Sequence, residues 1–75
     1  MRSKVIEILK NEMPEIDFEI SETLVDDGYL DSFAVVKILD IFSREFNIQF
    51  DIDKITQDDF NSIDDMVNLI KKYSM

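Results

Sequence analysis

The chain has 75 residues, which is enough for one small domain but close to the size at which domains begin to need disulfides or metals in order to fold. It contains no Cys and no His, which excludes disulfides, thiol nucleophiles, imidazole bases and the commonest zinc ligands. Seventeen acidic residues against eight basic ones leave a net charge of −9, so the chain repels phosphate backbones and is not expected to bind nucleic acid.

The composition favours an all-α fold in a single domain over residues 1–75. Hydrophobic residues make up 45% of the chain, as in ordinary globular proteins, and only one Gly and one Pro are available for turns. A secretory signal needs about 7–15 unbroken apolar residues and a membrane helix about 20, and neither run is present. We therefore expect a cytoplasmic protein without an integral membrane segment, and a monomer.

The first predicted helix begins with Ser3 as its N-cap and ends near residues 11–13, before Pro14. Its apolar residues recur at helical spacing: Val5, Ile6, Ile8, Leu9 and Met13. A long connection over residues 14–31 follows, and its apolar residues fit no regular period: Ile16, Phe18, Ile20, Leu24, Val25 and Leu30. Connections of this length are often functional, and we expect these side chains to hold the segment against the helices.

The second predicted helix, over residues 32–46, has the strongest helical period. At 100° per residue its apolar positions fall within an arc of about 100°, and they are Val35, Ile38, Leu39, Phe42 and Phe46. Val36 and Ile41 lie at the borders of that arc, and the far side carries Phe33, Lys37, Asp40 and Arg44. Asn47 suits a left-handed stop. Residues 48–52 alternate like a short strand, but no partner strand is present, so we interpret them as an extended connector.

A single short helical turn is predicted over residues 56–60. Ser62 then caps a last helix, whose inward face holds Ile63, Met66, Ile70 and Tyr73, flanked by Leu69. Acidic residues at its start (Asp64, Asp65) and basic residues at its end (Lys71, Lys72) suit the helix macrodipole. The predicted architecture is three main helices plus one short helix, with a long first connection.

The sequence predicts no catalytic residue and no metal site. The adjacent Asp pairs, such as Asp58 and Asp59, would point about 100° apart on a helix and cannot converge on one substrate. The start of a calcium loop at residues 51–53 lacks its third ligand, its Gly and its closing Glu. A single Gly excludes a phosphate-binding loop, and the absence of His removes the usual base for a serine nucleophile. A Ser–Lys variant is conceivable, but a helical chain of 8.8 kDa has little room for an enclosed pocket. The chain is not expected to be an enzyme.

One segment remains, Gly28-Tyr29-Leu30-Asp31-Ser32-Phe33, at the end of the long connection. In the simplest interpretation Gly28 makes a turn, and Asp31 or Ser32 caps the second helix. The position also allows a second interpretation. A serine hydroxyl at a helix N-terminus can carry a phosphodiester that faces free backbone N–H groups and the positive end of the dipole.

The triplet Leu30-Asp31-Ser32, followed by a helix of this pattern, resembles the acyl carrier protein family. The chain length, the long–long–short–long helix order, the long first loop and the acidic balance agree over essentially the whole chain. The resemblance implies an acyl-carrier-like four-helix bundle in which Ser32 carries covalent 4′-phosphopantetheine, whose terminal thiol holds an acyl or aminoacyl cargo as a thioester. It also implies that Ile38, Leu39, Phe42, Phe46 and Ile48 occupy core positions.

The same resemblance implies particular partners. These are a phosphopantetheinyl transferase, an acyl- or aminoacyl-loading ligase, and acyltransferases. They would recognise the start of the second helix and the loop before it, through Asp31, Phe33, Val36, Lys37 and Asp40.

The outward face of the second helix differs from that of a typical fatty-acid carrier, which usually has several acidic residues there. Here the matching positions hold Ala34, Lys37, Ser43 and Arg44, with only Asp40 and Glu45 acidic nearby, and Phe33 replaces the usual Leu. Gly28 lies three residues before Asp31, a spacing similar to that of D-alanyl carrier proteins and stand-alone carriers of secondary pathways. A specialised carrier is therefore the favoured hypothesis, and a housekeeping fatty-acid carrier is the alternative.

Two classes of non-carrier function also stay open. The first is a helical protein-interaction adaptor that exposes Phe33, Val36 and Ile41 as an apolar patch. The second is an acidic DNA mimic or inhibitor, which only the net charge supports.

Overall fold

The computed structural model describes residues 1–74 and contains three α-helices. They are α1 (Arg2–Glu12), α2 (Ser32–Phe46) and α3 (Ile63–Tyr73). Two 3₁₀ turns lie between α2 and α3, the first at Ile52–Lys54 and the second at Gln57–Phe60. Residues 1–74 contain no strand, so the all-α class is confirmed, and the predicted short helix at residues 56–60 is the second 3₁₀ turn.

One hydrophobic core joins all of these elements. α1 packs against α3, and the second 3₁₀ turn contacts both α3 and α2. Each helix, the second turn and the long connection contribute fully buried side chains, namely Val5, Leu9, Leu24, Leu30, Ile38, Ile41, Phe42, Phe60, Met66 and Ile70. Full burial of a large apolar side chain stabilises the fold by about 1.5–3 kcal/mol, so this shared core holds the loops as well as the helices.

The start of α1 differs from the prediction. The helix begins at Arg2 with Met1 as its N-cap residue, and no side chain caps it. The N–H of Val5 donates to the Met1 carbonyl at 3.1 Å, so helical hydrogen bonding reaches the first residue and Ser3 lies inside the helix. The predicted Ser3 cap is therefore wrong. The predicted end is confirmed, because the helix stops at Glu12, before Pro14.

The long connection is ordered by its own apolar side chains, as predicted. Phe18, Leu24 and Leu30 are buried in the core, while Ile16 and Val25 pack against it. Ile20 is the exception, with 56% of its surface exposed. It closes a tight turn in which its N–H donates to the Asp17 carbonyl at 3.3 Å, and its side chain stays in solvent.

The buried face of α2 is rotated relative to the predicted arc. Ile41, predicted at the border, is 1% exposed, whereas the predicted core residues Leu39 and Phe46 are only half-buried. Positions 35, 38 and 42 form an equally regular stripe with either Leu39 or Ile41, and packing selects the stripe with Ile41. Asn47 ends the helix in the left-handed conformation (φ 52°, ψ 51°), as predicted.

Residues 48–51 form no strand, in agreement with the connector predicted over residues 48–52, but Ile52 differs from the prediction because it begins the first 3₁₀ turn. The rings of Phe50 and Tyr73 meet edge-on with their centroids 5.3 Å apart. The Tyr73 hydroxyl is buried there without a hydrogen-bond partner. None of the helices within residues 1–74 has the length and apolar character needed to cross a bilayer.

Candidate functional site

The start of α2 is capped by Asp31 rather than by Ser32. Asp31 has an extended backbone (φ −97°, ψ −176°), and its carboxylate accepts the N–H of Ala34 at 2.9 Å. Ser32 is thus the first helical residue, and its side chain is exposed. Because the first turn of a helix has no intrahelical acceptors for its N–H groups, those of Ser32 and Phe33 remain available to an outside acceptor.

The turn before α2, at residues 28–31, is held against the core by the buried side chain of Leu30. Leu30 is 2% exposed, and the N–H groups of Tyr29 and Leu30 both donate to the Leu24 carbonyl, at 2.9 and 3.2 Å. Gly28 has a positive φ of 86°, a conformation that glycine adopts without strain. The buried Leu30 therefore holds the backbone directly before Asp31, while Tyr29 and Ser32 face solvent.

Asn61 connects this loop to the segment before α3. Its Oδ1 accepts the N–H groups of Val25 and Asp26 at 2.9 and 3.1 Å, and its carbonyl accepts the N–H of Leu24 at 2.7 Å. It is 8% exposed and is the one buried polar residue among residues 1–74. The sequence analysis missed this residue. No local pattern marks Asn61, because the two N–H groups that its side chain accepts lie 36 and 35 residues away.

A second anchor lies within the loop itself. The hydroxyls of Ser21 and Thr23 each donate to the same carboxylate oxygen of Asp27 at 2.7 Å. The hydrogen bond from Ser21, followed by that from Thr23, lowers the pKa of Asp27 below its ordinary value of 3.8. The Asp27 side chain is thereby held in its charged form next to Gly28.

The Ser32 hydroxyl binds a side-chain amide, whereas those of Ser21, Ser43 and Ser62 bind a carboxylate, a backbone carbonyl and a backbone N–H, respectively. Ser62 Oγ accepts the N–H of Asp65 as a cap, and Ser43 Oγ donates to the Ile48 carbonyl at 2.8 Å. Ser32 Oγ instead accepts a hydrogen bond from Nε2 of Gln57, at 3.1 Å. Gln57 was not predicted from the sequence, because it lies 25 residues from Ser32 and no local pattern marks it.

The five residues predicted for partner recognition are all exposed, namely Asp31, Phe33, Val36, Lys37 and Asp40. Phe33 is 87% exposed and Val36 is 65% exposed, so two large apolar side chains lie in solvent within a helical turn of Ser32. Val36 also lines a shallow groove together with Phe50 and Ile52. The predicted adaptor patch is corrected in one respect, because Ile41 is buried in the core and cannot contribute to it.

The basic residues on the outward side of α2 differ in their pairing. Arg44 Nε lies 3.2 Å from Oδ2 of Asp40, an i,i+4 ion pair between two exposed side chains. Lys37 is exposed and has no carboxylate within ion-pair distance among residues 1–74. No group of three or more acidic side chains in that part of the chain is placed to hold a metal ion.

A comparison with protein families finds a match that covers nearly the whole chain. A family described as the phosphopantetheine attachment site matches residues 1–70. No curated protein and no solved structure matches the chain significantly. The chain therefore belongs to the phosphopantetheine-attachment family of acyl-carrier-like domains, which bear covalent 4′-phosphopantetheine, carry cargo for enzymes and are not themselves enzymes.

Proposed function

We propose that Ser32 is the residue that bears the phosphopantetheine arm. The observation that carries this proposal is the division of roles at the start of α2. Asp31 supplies the cap, so the exposed Ser32 hydroxyl is free to form a phosphoester without loss of the helix's capping hydrogen bond.

The surroundings of Ser32 fit a phosphodiester, which carries one negative charge. Beyond the Asp31 cap the first turn of α2 contains no acidic residue, and the free N–H groups of Ser32 and Phe33 can donate to an anion. The terminal thiol of the arm, when attached, holds the cargo as a thioester. No Cys of the chain competes with it.

The proposal is tested by intact-mass analysis after incubation with coenzyme A and a phosphopantetheinyl transferase. The Ser32 oxygen bonds to phosphorus, 3′,5′-ADP leaves, and the hydroxyl proton passes to a base of the transferase. We expect the mass of one phosphopantetheinyl group to be added to the natural sequence and to Ser62→Ala, but not to Ser32→Ala. Helical circular dichroism of Ser32→Ala should be unchanged. Modification that persists in Ser32→Ala contradicts the assignment.

We further propose that the carrier serves a specialised pathway, of the D-alanyl or secondary-metabolite type, rather than housekeeping fatty-acid synthesis. Lys37 offers an unpaired positive charge where a fatty-acid carrier is expected to offer an acidic residue. The exposed rings and methyl groups of Phe33 and Val36 suit a partner with a hydrophobic dock. A dedicated ligase that activates an amino acid or a small acid is a partner of this kind.

The pathway is tested by loading the holo protein with a fatty-acid-type acyltransferase. Each lost attractive contact at an interface rim is worth about 0.2–1 kcal/mol, and repulsion from Lys37 adds to the loss. Together they weaken recognition by about tenfold, since about 1.4 kcal/mol is a factor of ten. Lys37→Glu/Arg44→Glu should therefore be loaded faster than the natural sequence. Efficient loading of the natural sequence, unchanged by the charge reversal, contradicts a specialised carrier and supports the fatty-acid alternative.

We also propose that residues 1–75 act as one monomeric carrier domain in the cytoplasm. The single core that joins every helix and the long connection supports one domain. The net charge of −9 supports a monomer, because like-charged copies repel one another. Sedimentation at micromolar concentration should give the mass of one chain, and a dimer would contradict the proposal.

A further inference from the structure

Gln57 is the one side chain outside α2 that donates a hydrogen bond to the Ser32 oxygen, among residues 1–74. Its Nε2 lies 3.1 Å from Ser32 Oγ and joins two segments that are 25 residues apart. Both side chains are exposed, so the contact contributes little to the core. The contact bears on the proposed function instead, because Ser32 Oγ is the atom proposed to attack phosphorus.

Gln57 is held in place by the 3₁₀ turn that it begins. At the start of that turn, Thr56 and Asp59 form a capping box in which the N–H of Thr56 donates to Asp59 at 3.0 Å. At its end, Phe60 is fully buried and Asn61 binds the long connection. Since both ends of the turn are fixed, the backbone of Gln57 stays beside the start of α2.

We propose that Gln57 is a positioning residue for the prosthetic group, a role that rests on Ser32 being the attachment site. A serine oxygen has two lone pairs and one proton. The amide of Gln57 occupies one lone pair, which orients the hydroxyl so that its second lone pair attacks phosphorus while its proton leaves to the transferase.

The same amide faces the phosphodiester once the arm is attached. The Ser32 oxygen then becomes a phosphoester oxygen, and the charged oxygens on the same phosphorus lie beside it. An N–H donor binds an anionic oxygen more strongly than it binds a neutral hydroxyl. The nearest acidic side chains in the sequence, Asp31 and Asp58, repel this charge, so the neutral donor of Gln57 contributes where carboxylates cannot.

The first test is the rate of arm attachment by a phosphopantetheinyl transferase. Gln57→Glu keeps the shape of the side chain but removes its donor and adds a negative charge. We expect kcat to fall about two- to tenfold, the range that one hydrogen bond spans, with KM for the carrier changed less. Gln57→Ala should lower kcat within the same range. Asn68→Asp is the matched control, since it makes the same amide-to-carboxylate change at an exposed position of α3.

The second test needs no enzyme activity. In ¹⁵N-labelled natural protein, the side-chain NH₂ resonances of Gln57 should shift on conversion from the apo to the holo form, while those of Asn68 stay in place. The ³¹P resonance of the holo form should move in Gln57→Ala and not in Asn68→Asp.

The outcomes separate this inference from the proposed function. If the natural sequence gains no mass, or gains it at another residue, the assignment of Ser32 fails. If Ser32 is modified but the Gln57 NH₂ signals stay in place and its variants react like the Asn68 control, the role of Gln57 alone is overturned. Slower attachment together with shifted NH₂ signals supports it.

Discussion

The helices α2 and α3 begin in similar ways but differ in charge. Each follows a residue in extended conformation whose side chain accepts the N–H of the third helical residue, Asp31 before α2 and Ser62 before α3. The first turn of α3 contains Asp64 and Asp65, whereas the first turn of α2 contains no acidic residue. The dipole end of α3 thus faces two carboxylates beyond its neutral Ser62 cap, whereas that of α2 faces only the Asp31 carboxylate that caps it, so the N–H groups of Ser32 and Phe33 are left for an external acceptor.

The two serines near these helix starts also differ in what their hydroxyls do. Ser62 is half-buried and its oxygen is occupied by the Asp65 N–H, and an ion pair between Arg2 and Asp64 ties the start of α3 to α1. Ser62 is itself the cap residue of α3, whereas Ser32 follows the cap residue of α2, Asp31. The Ser32 hydroxyl is therefore not needed for capping. A shift of one residue separates a structural serine from the proposed attachment site.

The largest expected effect comes from breaking the link between the two helix starts. Asn61, directly before the α3 cap, binds two backbone N–H groups of the segment that leads to α2. Asn61→Ala leaves those N–H groups unpaired, and we expect a loss of about 1–3 kcal/mol in the free energy of unfolding. Urea denaturation measures it. Asn68→Ala, on the exposed side of α3, should stay within about 0.5 kcal/mol, and an equal loss in both variants would contradict the linking role.

The next effect separates the two serines by stability. Ser62→Ala removes the α3 cap and should lower the free energy of unfolding by about 0.5–2 kcal/mol. Ser32→Ala should stay within about 0.5 kcal/mol of the natural sequence, because Asp31 retains the α2 cap. Thermal or urea unfolding of both variants measures the difference. A Ser32→Ala variant that is less stable than Ser62→Ala would contradict the assignment of Asp31 and Ser62 as the two caps.

A third prediction concerns a variant of α2 that carries a carboxylate in its first turn, as α3 does. Ala34 occupies the same place relative to its cap as Asp65 does, so Ala34→Asp puts a carboxylate in the first turn of α2. Repulsion of the incoming phosphate should slow arm attachment about two- to fivefold, which corresponds to roughly 0.4–1 kcal/mol. The rate of mass gain measures this. Asp65→Ala, the reverse change at α3, should leave the rate unaltered, and an equal slowing in both variants would argue against a local effect.

The smallest expected effect concerns the loop before α2 in acid. The pKa of Asp27 is lowered in the folded chain by Ser21 and Thr23, so the unfolded chain binds more protons near pH 3.8. The stabilisation is complete above that pH and is lost as the pH falls through the lower, folded pKa. An NMR titration of the Asp27 carboxyl should give a midpoint below 3.8, and Ser21→Ala should raise it. A midpoint unaffected by Ser21→Ala would contradict the hydrogen-bonded cause.

Local signals predicted the helices well, and non-local packing accounts for what they missed. Residues 32–46 and the stops at Pro14 and Asn47 follow from periodicity and from backbone preferences that act over a few residues. The choice of Ile41 over Leu39 for burial depends on which neighbouring segments cover α2, which its own sequence does not specify. The Ser3 cap failed because the Met1 carbonyl accepts the Val5 N–H, so the helix begins two residues before the predicted start without a side-chain cap.

The sequence predicts a candidate attachment site at Ser32 but does not predict the residues that contact it or hold the loop before it. A short motif within a recognisable frame predicts Ser32 as the attachment site, and the exposure of Phe33 follows from its place on the far side of α2. Val36 and Ile41 both lie at the borders of the apolar arc, and packing exposes the first and buries the second. Gln57 and Asn61 act across 25 and 36 residues respectively, through an amide that reaches another segment. Such contacts depend on the relative placement of two segments, and a polar residue in a loop gives no local sign of them.

The positions of the two tyrosines make the chain its own optical reporter. It contains no Trp, so its near-ultraviolet emission comes from Tyr29 and Tyr73 without energy transfer to an indole. Tyr29 is 48% exposed, three residues before Ser32, whereas the Tyr73 hydroxyl is enclosed beside the Phe50 ring. Tyr73→Phe removes a hydroxyl that has no partner to lose and leaves a single emitter at the start of α2. Docking of an enzyme there becomes visible by fluorescence, with no dye attached to the surface under study.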